Sequence, residues 1–95
     1  MMECTMVERT VLVRNRAGLH TRPAAMIVKL AAQYRSDIFL ESEDHMRINA
    51  KSIIGVMTLA AAQGTTLKLI VSGPDEEEAA RAIAELFENG FGEPI

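Results

Sequence analysis

In the run Gly18-Leu19-His20-Thr21-Arg22-Pro23-Ala24, a histidine and an arginine stand two positions apart where a glycine-loosened loop enters a predicted helix. The backbone N–H groups of a first helical turn have no partner inside the helix, and they favour a bound anion. A guanidinium adds a fixed positive charge whose planar fork chelates phosphate oxygens. Imidazole is a nucleophile unprotonated near neutrality, with an ordinary pKa of about 6.5, and it leaves easily in a second transfer. These residue types at this spacing point to a phosphoryl group carried on His20, with Arg22 stabilising the phosphate. Such transfer asks for positioning and charge stabilisation, so neither a metal nor another cofactor is expected in the carrier itself. The reading requires a ring that stays reachable and a guanidinium not turned away and locked to a carboxylate. The plain alternative, a histidine that only caps or packs, leaves Arg22 and Pro23 unexplained.

The rest of the chain limits what else it can do. Its 95 residues suit one compact domain, 1–95, with room for a core but not for a second site-bearing unit. Hydrophobic residues make up 48% and charged residues 24%, as in ordinary globular proteins. With no Trp and four other aromatics, a stacking platform for single-stranded nucleic acid is not expected. The single Cys4 excludes an internal disulfide and a multi-cysteine metal site, and nothing placed near it would activate the thiol. No apolar run reaches about 18 residues, and residues 1–9 lack a basic region followed by an apolar one. The cytoplasm is therefore the expected compartment, with no membrane partner.

Net charge is −3, but its distribution is uneven. Arg9, Arg14, Arg16, Arg22, Lys29 and Arg35 precede the first following acid, Asp37, whereas residues 75–88 hold six acids against Arg81. The His20 loop lies in the basic half, which steers acidic or phosphorylated partners toward it.

The elements that must position these groups follow from periodicity. Residues 7–13 alternate, with Val7, Val11 and Val13 on one face and Arg9 interrupting it. Residues 21–33 place Pro23, Ile27, Leu30, Ala31 and Tyr34 at helical spacing, and proline is tolerated in a first turn. Residues 37–41 alternate around Ile38 and Leu40; Met46 and Ile48 continue a short strand after a polar turn in which His45 has no partner. Ser52 is a favoured N-cap for a short helix stopped at Gln63-Gly64, with Val56 and Leu59 assigned to the core. Leu67, Leu69 and Val71 alternate clearly. Asp75 and Glu78 stand at capping-box spacing before a helix burying Ala79, Ile83, Leu86 and Phe87, and Asn89-Gly90 ends it. The order βαββαβα predicts a two-layer α/β (α+β) open-faced sandwich, a four-stranded antiparallel sheet covered on one side by three helices.

Three runs carry a resemblance: residues 18–24, the stretch Asn49-Ala50-Lys51-Ser52-Ile53-Ile54-Gly55-Val56-Met57, and Gln63-Gly64-Thr65 followed by Ser72-Gly73-Pro74-Asp75-Glu76. Together they are similar to the histidine-containing phosphocarrier family HPr of the bacterial phosphoenolpyruvate-dependent phosphotransferase system, over residues 6–91. The resemblance implies the same sandwich fold. It implies that Nδ1 of His20 accepts phosphate from phospho-enzyme I and passes it to an enzyme II A domain, and that Arg22 is the phosphate-facing arginine. Ser52 matches the serine that an ATP-dependent HPr kinase/phosphorylase modifies in many Gram-positive and some other bacteria, where the phosphorylated form meets a transcriptional regulator. Thr21, Ile53, Ile54 and Met57, ringed by Arg22, Lys29 and Lys51, correspond to the docking patch beside the active histidine. A monomer without independent turnover is expected. Ala17 departs from the small polar residue often found before the glycine, and residues 90–95 extend past the helix without an assigned role.

Other classes fit the element order less well. A regulatory binding module switched at Ser52 needs neither His20 nor Arg22, and a ferredoxin-like ligand-binding sandwich leaves the His-Arg-Pro run unused. HPr-like proteins dedicated to nitrogen or carbon control, acting through protein binding, are the nearest alternative to sugar uptake. An enzyme with its own turnover would need an acid–base pair or metal set that the sequence does not present.

Overall fold

The computed structural model describes residues 6–95, so Cys4 lies outside the described residues. Strands β1 (Val7–Leu12), β2 (Asp37–Glu41), β3 (Arg47–Asn49) and β4 (Thr66–Ser72) and helices α1 (Thr21–Ala31), α2 (Ile53–Thr58) and α3 (Glu76–Glu88) follow one another as βαββαβα, ending in a short 3-10 turn, Gly90–Gly92. The four strands form one sheet in the order β1-β4-β2-β3, and every neighbouring pair is antiparallel. The open-faced sandwich expected from the sequence is the fold observed.

Alternation decides the faces. In β4, Leu67, Leu69 and Val71 point toward the helices, and they align with Val11, Arg9 and Val7 of β1 and with Leu40 and Ile38 of β2. All of these but Arg9 meet Ala24, Ile27 and Ala31 of α1, Val56 of α2, and Ala79, Ala80, Ile83, Ala84 and Phe87 of α3 in one core. Arg9 interrupts its strand face as expected and remains exposed at the sheet edge. The opposite face is polar at its rim, where Arg47 bonds Glu41 at 2.9 Å, yet Ile70 is buried there beside Phe39, its partner on β2.

Several local expectations are revised. Helix α1 stops at Ala31, earlier than 33, and Leu30 and Tyr34 are only half-buried because Ala24 and Ala31 take the innermost positions. Helix α2 stops at Thr58, well before Gly64, and Leu59 is half-buried. Met46 precedes β3 and is exposed. The capping box at Asp75 does not form: no side chain caps α3 from that position. The Asp75 carboxylate instead accepts hydrogen bonds from Ser36 N, Ser36 Oγ and Arg35 N at 2.6–3.0 Å, tying the start of α3 to the turn before β2. Those bonds, the Ser36 hydroxyl first, hold the Asp75 carboxyl below its ordinary value. His45 is not partnerless either, since its Nδ1 lies 3.7 Å from Glu41.

Candidate functional site

The loop after β1 is bent so that His20 meets the start of α1. Gly18 adopts φ +72°, and a Cβ there would lie 2.6 Å from the Ala61 carbonyl oxygen, so both the backbone angle and the close approach require glycine. Leu19 N donates to that same carbonyl at 2.9 Å, which seats the His20 loop on the segment following α2. His20 is the N-cap residue of α1, with extended backbone, and no side chain caps the helix. Its carbonyl accepts the first helical bond from Ala24 N at 3.0 Å. Pro23 supplies no N–H, so the open donors of the first turn are the backbone N–H groups of Thr21 and Arg22, which no side chain caps.

The His20 ring is 43% exposed and Arg22 is 56% exposed, so the first requirement, a reachable ring, is met. The second is not met as stated. Arg22 Nη1 donates to Glu93 Oε2 at 2.9 Å, a carboxylate in the segment after α3. That carboxylate does not draw the guanidinium away from the histidine, because both of its oxygens also lie 3.0 Å from His20 Nε2. The expectation that Arg22 is not locked to a carboxylate is corrected: one anion, Glu93, holds histidine and arginine together.

Glu93 is fixed from both sides. Buried Asn15 donates Nδ2 to Glu93 Oε1 at 3.0 Å and to the Gly18 carbonyl at 2.8 Å. Arg22 Nη1 also donates to the Phe91 carbonyl at 3.1 Å, and Arg16 N donates to the Pro94 carbonyl at 2.9 Å. The Glu93 side chain is only 12% exposed. Its carboxyl is held down to about 2, chiefly by the hydrogen bond from His20, with Asn15 and Arg22 adding to it against partial desolvation. It is therefore an anion across the physiological range, an acceptor only.

Phe91 brings Glu93 there. Its ring is fully buried and meets Phe87 edge-to-face, with centroids 5.0 Å apart. Its φ of +57° is costly for a residue with a Cβ, by roughly 1–2 kcal/mol. Burying a phenyl ring contributes about 1.5–3 kcal/mol, so burial outweighs the strain. Sequence reasoning gave residues 90–95 no role. The signal that was available is Gly90-Phe91-Gly92, an apolar anchor between two glycines of positive φ, with an acid following.

The remaining expected site residues divide between two regions. Thr21 is exposed beside His20. Ser52 caps α2, accepting from Gly55 N at 3.1 Å, as its position predicted. Ile53, Ile54 and Met57 are exposed on α2, Ile54 at 77%. Lys51 is tied by Nζ to the Tyr34 carbonyl at 2.8 Å, beyond the C-terminal end of α1. Lys29 lies in the last turn of α1, about 12 Å along its axis from Thr21 at 1.5 Å per residue. Neither lysine is brought to the His20 ring. Since α2 begins near Tyr34 and leads to Ala61 against Gly18, it runs back along α1, with Ser52 far from His20 and Met57 closer to it.

Comparison with known proteins places the chain among relatives. The family profile described as "PTS HPr component phosphorylation site" matches residues 7–89. The Phosphocarrier protein HPr of Treponema pallidum is 54% identical over 88 residues, 93% of this chain and 99% of that protein. The crystal structure of HPr from Thermoanaerobacter tengcongensis superposes with a TM-score of 0.88 at 44% identity, covering 94% of this chain and 99% of that one. The Bacillus subtilis catabolite repression protein Crh, described as a dimer with a swapped domain, has a TM-score of 0.71 at 43% identity, covering 88% and 95% of the two chains.

Proposed function

The chain belongs to the HPr family of phosphocarriers of the phosphotransferase system, and from that membership we propose that His20 is its phosphoryl-accepting residue and Arg22 the cation that stabilises the bound phosphate. The observation that carries the assignment is the exposed His20 ring at the uncapped N-terminus of α1 with Arg22 on the next half-turn. In this reading Nδ1 attacks the phosphorus of phospho-enzyme I. The phosphoryl group then passes to an enzyme II A domain, feeding sugar uptake in the cytoplasm. Neither step requires a cofactor in this chain. Arg22 uses only Nη1 in its bonds to Phe91 and Glu93, which leaves Nη2 and Nε for phosphoryl oxygens.

Docking is assigned to Thr21 and to the exposed apolar side chains of Ile53, Ile54 and Met57; methionine adapts to differently shaped partners. Lys51 belongs to the far end of that surface, while Lys29 lines a groove between α1 and Leu86 of α3; both are assigned to attract acidic groups on a partner. Ser52 has a full structural role as a cap. It is also assigned as the site where an HPr kinase/phosphorylase adds phosphate, giving up to about two negative charges next to the docking helix. That charge repels an acidic enzyme I and suits a transcriptional regulator with clustered arginines. The carrier is assigned as a monomer. A regulatory role through protein binding is the second reading, favoured by the likeness to Crh.

The test is phosphorylation itself. Incubated with phosphoenolpyruvate and enzyme I, the protein should gain acid-labile phosphate, and His20→Ala should gain none. Incubated with ATP and an HPr kinase, it should gain acid-stable phosphate that Ser52→Ala lacks. Acid-labile phosphate persisting in His20→Ala overturns the assignment. Kinase-dependent phosphate with none from enzyme I favours the regulatory reading.

A further inference from the structure

The contact between Glu93 and His20 concerns the two nitrogens of the ring, which are not equivalent. Which one carries the proton is set by the hydrogen bond the other makes. Ionised Glu93 can only accept, so Nε2, 3.0 Å from both its oxygens, must carry the hydrogen. In the neutral ring, the form that can act as a nucleophile, Nδ1 then holds the free electron pair, and among the described residues it has no hydrogen-bond partner. The carboxylate cannot swing aside freely. Asn15 Nδ2 and Arg22 Nη1 hold one oxygen each, and the backbone on either side is anchored by Phe91 in the core and by Pro94 on Arg16.

We propose that Glu93 is a positioning residue that decides the site of phosphorylation on the His20 ring: by capping Nε2 it leaves Nδ1 as the nitrogen that can be phosphorylated. The inference rests on His20 being the phosphoryl acceptor and adds what selects between its nitrogens. The step balances without a further reactant. The Nδ1 pair forms the new P–N bond, the donor's P–N bond breaks, and its electron pair leaves with the donor nitrogen. The product ring keeps its Nε2 hydrogen and gains positive charge, which the Glu93 carboxylate faces. The same carboxylate would repel a phosphoryl group entering at Nε2 and already occupies the space beside it. Selectivity therefore comes from occupancy and charge together.

The experiment uses phosphoramidate, a small N-phosphoryl donor that needs no docking surface. His45 is 88% exposed and would react as well, so all variants carry His45→Asn; asparagine suits the positive φ at that position. Phosphorus NMR then resolves the two phosphohistidine isomers of His20. With Glu93 present, the Nδ1 isomer should exceed the Nε2 isomer by tenfold or more. Glu93→Ala should raise the Nε2 share at least fivefold. Glu93→Gln, which keeps an acceptor oxygen, should retain the Nδ1 preference. A ring N–H resonance assigned to His20 Nε2 should be protected from solvent exchange in the parent and lost in Glu93→Ala, while the amide spectrum stays folded. Equal isomer ratios in the parent and in a folded Glu93→Ala overturn the proposal, as does a dominant Nε2 product in the parent. Failure of enzyme I to phosphorylate the parent would instead remove the carrier reading, and the two failures are read in separate assays.

Discussion

At the residue scale, the site consists of four side chains in which one carboxylate serves three donors: the His20 ring, the Arg22 guanidinium and the Asn15 amide. Glu93 ionises far below an ordinary carboxyl for that reason, with the His20 bond as the largest cause. A carboxyl depressed on folding contributes stability that is complete above its unfolded value and is lost as pH falls through its folded one. The stability that ionised Glu93 contributes should thus be complete above about pH 4.5 and be lost progressively as pH falls toward 2, where the folded carboxyl itself protonates. A carbon NMR titration of the Glu93 carboxyl reads this directly, and a midpoint at an ordinary carboxyl value of about 4.3 contradicts it.

At the element scale, α1 and α2 lie against each other and carry different tasks. The start of α1 presents the nucleophile, whereas α2 is capped by Ser52 and exposes Ile53, Ile54 and Met57 instead of burying them. Only Val56 is fully buried on that helix, so changing an exposed position leaves packing intact. Met57→Glu should keep the melting temperature within the scatter expected of surface changes, about 0.5 kcal/mol. It should slow phosphoryl transfer from enzyme I by about tenfold, through docking. Stopped transfer kinetics equal to the parent's would remove α2 from the docking surface. Periodicity identified α1, α2 and α3 but placed their ends too late or capped them wrongly. Asp75 illustrates the cause: its spacing to Glu78 fits a capping box, yet three donors across the fold, on Arg35 and Ser36, take its carboxylate.

At the scale of the whole molecule, residues 90–95 return across the end of the sandwich and complete both the core and the site. Phe91 contributes its ring to the core through Phe87, and Glu93, two residues on, reaches the loop before α1. Stability and site geometry are therefore coupled. Phe91→Ala should cost about 3–5 kcal/mol by leaving a cavity, measured by urea denaturation. It should also release the Glu93 contact, so that His20 Nε2–H exchanges rapidly with solvent. Loss of stability with the contact intact would separate the two.

Much of this protein was readable from local pattern. Valine and leucine alternation marked the strands, and the helical layer on one side of the sheet followed from the need to bury one face of each element, whereas the strand order β1-β4-β2-β3 came from the structure. His20, Arg22 and Ser52 stood out because helix-start chemistry depends on neighbours a few positions away. What the tertiary structure alone decided is the group opposite the His20 ring, a carboxylate 73 positions later in the chain. No periodicity connects positions so far apart. Their meeting depends on a buried phenylalanine, a reversed backbone angle at that residue and an asparagine held inside the fold, all of which exist only once the sheet and helices have packed.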